Sequence, residues 1–148
     1  MYPVLIELSK LTIVVVGGGK IATRKVRSLV EAGGTPLVIS PTLSEELEQL
    51  SQQGVILVKK RTYQSGDIQQ AHMVFICTDE HGVNQEILRE ASPQQLINDT
   101  TKQENSNFFN MAFFKEQDIG VGVTTFGKNP KKSKQLKQAL QQFIQENE

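Results

Sequence analysis

The residues best able to do chemistry in this chain are three consecutive glycines. Gly17-Gly18-Gly19-Lys20-Ile21-Ala22 follows an apolar run and fits the GxGxx[G/A] pattern, in which bare backbone approaches a pyrophosphate and a helix N-terminus offers it N–H groups and partial positive charge. Gly17 would make the tight turn, Gly19 would admit the pyrophosphate, and Ala22 would let the helix lie close to the sheet. The alternative is a Gly-rich turn that holds no ligand. The residue that ordinarily selects NAD is an acid about 20 residues further on, at the end of the next strand. Ser40-Pro41-Thr42 stands there instead, with neither a carboxylate for NAD nor an arginine for NADP. Hydroxyl and backbone groups of Ser40, Pro41 and Thr42 are thus the candidates for the adenosine end. Thr78 and Asp79 close another apolar run, on the edge where such sheets bind ligands; Asp79 reads equally well as a helix N-cap. Cys77 beside them reads as a small buried residue rather than a nucleophile. His72 and His81 lack the spacing of a metal pair, so no resident metal is expected. Lys128, Lys131, Lys132, Lys134 and Lys137 follow one another with no acid between them. Such a run is either a solvated helix face or a means of steering and holding a polyanion.

These groups need a sheet edge to stand on, and the hydrophobic pattern supplies one. Residues 11–16 are β-branched and nearly continuous, the mark of a strand buried on both faces. Ile21, Ala22, Val26, Leu29 and Val30 then recur at helical spacing up to the Gly33-Gly34 stop. A strand over 36–40 follows, then a helix to about Gln52, capped by Thr42 or Ser44 and with Glu45, Glu46 and Glu48 in its early turns. Further strands are predicted at 55–58 and 73–77, then a helix bearing Val83, Ile87 and Leu88, and a short strand at 96–97 ending at Asn98-Asp99. The fold class is α/β, a Rossmann-type doubly wound parallel sheet. The pattern changes between Asn107 and Ala112. Residues 108–114 and 119–125 read as a strand–turn–strand unit, and a helix over 131–145 carries Leu136, Ala139, Leu140, Phe143 and Ile144 on one face. The expected division is a dinucleotide-binding domain over 1–112 and a hairpin-plus-helix segment over 113–148, for which the family resemblance given below implies NAD binding and dimerisation respectively. So small an appendage must pack on its own domain or on a second subunit.

Composition narrows the partners. Sixteen Lys and Arg balance sixteen Asp and Glu among 148 residues, so the broad positive field of a nucleic-acid binder is missing. One cysteine excludes an internal disulfide and a CxxC pair. No apolar run approaches the roughly 20 residues of a membrane span, and Met1 to Ser9 lacks the pattern of a cleavable leader. A cytoplasmic protein without membrane or nucleic-acid partners is the expectation.

Several blocks, taken in order, resemble one family. They are Met1-Tyr2-Pro3-Val4, Val15 to Lys25 around the glycines, Ile39-Ser40-Pro41-Thr42, Cys77-Thr78-Asp79-Glu80 with Val83-Asn84, and Thr124 to Pro130. The chain resembles the siroheme synthase N-terminal domain family, the precorrin-2 dehydrogenases, some of which also insert iron. The resemblance implies NAD-dependent oxidation of precorrin-2, a polycarboxylate tetrapyrrole, to sirohydrochlorin, in a homodimer built through the small second domain. It carries NAD contacts to Gly17, Gly18, Gly19, Lys20, Ile21, Pro41 and Thr42, and sets Thr78 and Asp79 near the nicotinamide. Lys128, Lys131 and Lys132 become candidates for the substrate's carboxylates. The family's acid–base Asp falls at Thr101, a departure that leaves Asp99 as the nearest candidate base if the loop shifts by two residues; Asp99 reads otherwise as a turn residue. The Ser often found before the last motif's Pro is Asn129. The family's helical domain that covers the substrate has no counterpart in the 148 residues. Two other readings stand beside the enzyme: an NAD-binding regulatory module and a non-catalytic Rossmann module that dimerises without turnover.

Overall fold

The computed structural model describes residues 1–147 and divides into two compact units, Met1–Phe108 and Phe109–Glu148. In the first, five strands form a wholly parallel sheet: β1 (Ile13–Val16), β2 (Leu37–Ile39), β3 (Leu57–Lys59), β4 (Met73–Ile76) and β5 (Leu96–Asp99). Their order is β3-β2-β1-β4-β5. The direction of winding therefore reverses between β1 and β4, where Val16 is in register with Ile76. Three helices complete the unit: α1 (Lys20–Glu31), α2 (Glu45–Gln52) and α3 (His81–Glu90).

The continuous apolar runs of β1 and β4 follow from burial on both faces. Ile13, Val15, Met73 and Phe75 pack in one core with Ala22, Val26 and Leu29 of α1 and Leu47 of α2. Val14, Val16, Val74 and Ile76 pack in the other with Ile87 of α3 and Tyr63, Ile68 and Ala71. That second cover includes a turn-rich segment, 65–70, rather than a helix. The segment is pinned by Asp67, which accepts from Arg61 at 2.7 Å and from Lys59 Nζ at 2.9 Å, and by Glu90, which accepts from the Tyr63 hydroxyl.

Three expectations change here. The third strand begins at Leu57 rather than at Val55; it is a sheet edge, paired on one side only, and Leu57 is 59% exposed. Asp99 continues β5, opposite Ile76, instead of lying in a shifted loop. Phe108 is not in a strand: its ring meets Phe75 edge-on, with centroids 5.4 Å apart, inside the first unit's core.

The second unit is an antiparallel hairpin, β6 (Ala112–Glu116) and β7 (Ile119–Val123), with helix α4 (Pro130–Glu146). Asn129 caps α4 by accepting from Lys132 N at 2.9 Å, and Pro130 takes the first helical position, where its missing N–H costs nothing. The apolar stripe of α4 does not turn inward. Leu136, Leu140 and Phe143 are 43%, 41% and 63% exposed, while Ser133 is buried and its hydroxyl lies 3.0 Å from that of Thr125.

Candidate functional site

Three adjacent glycines at the end of β1 have three different surroundings. Gly17 has φ +124°, and a Cβ there would lie 2.4 Å from the Cys77 carbonyl oxygen, so conformation and space both exclude a larger residue. A Cβ on Gly18 would lie 2.0 Å from the Thr42 carbonyl oxygen. These two serve the protein's own packing, drawing the end of β4 and the loop after β2 against the turn. At Gly19 nothing lies within 4 Å of a Cβ position, and no side chain caps the first turn of α1, which begins after it. Open space over uncapped N–H groups is the arrangement an incoming pyrophosphate requires. Ala22 is fully buried beneath the turn, where a larger side chain would hold α1 off the sheet.

The turn is braced from α2. The Thr23 hydroxyl donates to the Gly19 carbonyl at 2.9 Å and lies 2.7 Å from Ser44 Oγ, which accepts from Leu47 N as the cap of α2. Ser40 does not offer its hydroxyl outward, as the sequence suggested; it is buried and donates to the Thr42 carbonyl at 2.7 Å. Pro41 and Thr42 are exposed. Beside the turn, a groove of about 1030 Å³ runs between α1 and α2, bordered by Lys20, Ile21, Arg24 and Glu45. Glu46 is held at its rim by Arg27 in a two-point ion pair, at 2.8 and 2.7 Å.

On the other side of the reversal point, the Thr78 hydroxyl accepts from Glu80 N at 3.0 Å and the Thr78 carbonyl accepts from Asn84 Nδ2 at 2.9 Å. Glu80, not Asp79, precedes the first residue of α3 as its N-cap. The cap reading of Asp79 therefore fails; its carboxylate is exposed and makes no hydrogen bond or ion pair among the described residues. Burial pushes the Cys77 thiol up to about 11, against the opposing influence of Lys25 and Thr100, so the thiol stays protonated near neutrality. Lys25 Nζ stands 5.5 Å from the Phe75 ring centroid, and burial lowers its pKa.

Asp99 is committed to a turn. Its Oδ1 accepts from Thr101 N at 2.8 Å, Thr101 Oγ1 at 2.7 Å and Lys102 N at 3.2 Å, and its Oδ2 from Asn105 Nδ2 at 2.8 Å. Burial alone would raise this carboxyl, but the hydrogen bonds from Asn105, Thr101 and Lys102 outweigh it and the net direction is down. A buried carboxylate with four donors on it and a lowered pKa is a poor proton acceptor. His72 Nδ1 accepts from Thr12 N at 2.9 Å, and His81 opens α3. No group of three or more His, Cys, Asp or Glu that could hold a metal occurs among the described residues.

Comparison with known proteins places this geometry. Residues 4–112 match a family model described as putative NAD(P)-binding. The chain is 33% identical over 144 residues to a precorrin-2 dehydrogenase of Bacillus subtilis (strain 168), covering 97% of this chain and 89% of that protein. The chain belongs to the precorrin-2 dehydrogenase family. A solved structure of SirC, a precorrin-2 dehydrogenase, superposes with a TM-score of 0.84 at 27% identity, over 95% of this chain and 69% of that one. Siroheme synthase 1 of Serratia proteamaculans (strain 568) is 29% identical over 143 residues, which are 96% of this chain and 30% of that protein. The Thr101 hydroxyl donates to Asp99 Oδ1 at 2.7 Å, and the residue is exposed.

Sequence reasoning gave Asn84 no role of its own. It is 5% exposed, and its Oδ1 is a buried side-chain polar atom without a hydrogen-bond partner. An amide four residues into a helix pattern carries no local signal of this; only the fold brings it under Thr78. Lys128, Lys131 and Lys132 are exposed at the start of α4, in the second unit.

Proposed function

We propose that this protein is an NAD-dependent precorrin-2 dehydrogenase, oxidising its substrate to sirohydrochlorin. The observation that carries the reading is the open space and uncapped helix turn at Gly19, directly after two glycines that packing already requires. Gly19, Lys20 and Ile21 hold the pyrophosphate on a turn that Gly17 and Gly18 close by their packing; the backbone of Ser40 and Pro41, with the exposed Thr42, meets the adenosine end. Thr78 and Asp79 border the nicotinamide. NAD supplies the hydride acceptor, and the second hydrogen leaves the substrate as a proton. Of the carboxylates at or just after the ends of β4 and β5, Asp99 is spent on its turn, and Asp79, next to Thr78, stands nearer the end of β4 than Glu80 and takes that proton.

The substrate is a polycarboxylate, and Lys131 and Lys132 stand in the first turn of α4, where the helix dipole disfavours cations. Their placement at an unfavourable end supports an anion-holding role for Lys128, Lys131 and Lys132. The exposed stripe of Leu136, Leu140 and Phe143 supports a homodimer, because a second copy offers the matching apolar face. The protein works in the cytoplasm; no helix among the described residues is long and apolar enough to cross a membrane.

Incubation with precorrin-2 and NAD tests the reading through NADH formation. NAD binding without NADH would favour the non-catalytic module. If turnover is seen, Asp79→Asn is expected to lower kcat by about 10²-fold, with NAD affinity retained.

A further inference from the structure

Phe126 stands against two ordinary preferences of its residue type. Its φ is +54°, in the left-handed region where a Cβ crowds the following carbonyl and which is normally left to Gly, Asn or Asp. Its ring is 59% exposed, although an aromatic ring gains most by leaving water. The surrounding loop holds this conformation in place. Thr124 Oγ1 accepts from Phe126 N, Thr125 Oγ1 accepts from Asn129 N, and the Thr125 carbonyl accepts from Lys128 N, each at 3.0 Å. The backbone that makes these bonds turns left-handed at both 126 and 127, where Gly127 has φ +78°, but none of the bonds needs a ring. A glycine at 126 would make the same turn without the strain. A strained position that its surroundings over-determine is characteristic of binding loops.

The charges around the ring are of one sign. No Asp or Glu occurs between Asp118 and Glu146, whereas five lysines do. Lys128 is two residues from Phe126, so their Cα atoms lie within about 7 Å, and Lys131 and Lys132 follow in the first turn of α4. All three lysines are exposed and none forms an ion pair among the described residues. An accessible aromatic face beside uncompensated ammonium groups suits a flat, conjugated ring whose edge carries carboxylates. The same loop of a second copy, brought up about a two-fold axis, would instead set lysines against lysines. We propose that Phe126 is a substrate-binding residue whose ring stacks on the macrocycle of a carboxylated tetrapyrrole, while Lys128, Lys131 and Lys132 meet the carboxylates at its rim. The inference rests on the precorrin-2 reading and adds to it the apolar half of the substrate site.

The test uses Phe126→Gly, which suits the left-handed turn, and Phe126→Tyr, which keeps the aromatic face. Sirohydrochlorin binding is followed anaerobically by its absorbance change, NAD binding by calorimetry and size by sedimentation, all on the full chain. For Phe126→Gly, sirohydrochlorin affinity is expected to fall about tenfold, the effect of losing one stacked ring. The KM for precorrin-2 should rise by the same factor, with kcat within about threefold and NAD affinity within about twofold. Phe126→Tyr should keep sirohydrochlorin affinity within about threefold of the parent. Unchanged sirohydrochlorin affinity and KM in Phe126→Gly overturn this proposal alone and leave the precorrin-2 reading standing. An equal loss in Phe126→Tyr, or a loss that accompanies a shift from dimer to monomer, overturns it by giving the ring another task, and so does failure of Phe126→Gly to fold. A parent chain that neither binds sirohydrochlorin nor forms NADH from precorrin-2 overturns the reading beneath it, and the proposal with it.

Discussion

Helix α1 of the first unit and helix α4 of the second carry similar apolar stripes and use them in opposite ways. In α1, Ala22, Val26 and Leu29 are buried against Val15 and Phe75 of the sheet, and the helix N-terminus is left without a side-chain cap. In α4, Leu136, Leu140 and Phe143 remain exposed, and the N-terminus is closed by Asn129. The first helix spends its apolar face on its own domain and keeps its polar end for a small molecule. The second secures its polar end and leaves much of its apolar face exposed, which is where the proposed second copy would bind. A helix thus advertises a partner by whichever of its requirements the chain leaves unmet.

The glycine turn gives the sharpest way to break that contrast. Gly17→Ala forces a Cβ onto the Cys77 carbonyl at φ +124°, and is expected to cost about 3 kcal/mol or more of stability, seen as loss of the cooperative melt. Gly19→Ala meets nothing; it should change stability by less than about 1 kcal/mol while weakening NAD at least about tenfold, because the new methyl occupies the pyrophosphate's approach. Equal behaviour of the two variants would remove the distinction between packing glycines and a ligand glycine.

In the second unit the corresponding change is Leu140→Asp with Phe143→Asp. Sedimentation should move from dimer to monomer at micromolar concentration, with the first unit's NAD affinity unchanged. A monomeric parent protein would instead leave the exposed stripe without a purpose.

Asp99→Asn sets an amide nitrogen against Asn105 Nδ2 or against the N–H groups of Thr101 and Lys102. It should cost about 1–3 kcal/mol and leave kcat within a few-fold; a fall of about 10²-fold without destabilisation would restore Asp99 as the base.

The smallest effect is acid dependence. The Arg61 guanidinium, followed by Lys59 and Gln64 N, holds the Asp67 carboxyl well below its usual value of 3.8. Its folded pKa is thus depressed, so its contribution is complete above the unfolded value and is lost as pH falls through about 4 toward the folded one. Asp67→Asn should flatten that part of the stability curve and leave the neutral plateau lower.

The sequence patterns of the first unit were legible where one force dominates. Continuous apolar runs marked β1 and β4 because both faces are covered, and Gly33-Gly34 ended α1 because Gly33 adopts φ +83°. Legibility failed where a residue's role depends on a distant partner. Residues 59–72 offered no helical or strand period, since that segment is held by the Arg61–Asp67 and Tyr63–Glu90 contacts. Ser40 is a local exception: its partner, the Thr42 carbonyl, is only two residues on, but the turn that brings the two together has no residue signature of its own. The failure at a distance recurs in α4, whose stripe marks a helix but not the body that covers it.

The central claim is that the open turn at Gly19 binds NAD for oxidation of precorrin-2. Anaerobic incubation of the purified chain with precorrin-2, with and without NAD, tests it most directly. The account predicts NADH and sirohydrochlorin in equal amounts, only when NAD is present, and none with Gly19→Ala at low NAD. Saturable NAD binding with no NADH formed from precorrin-2 would contradict it.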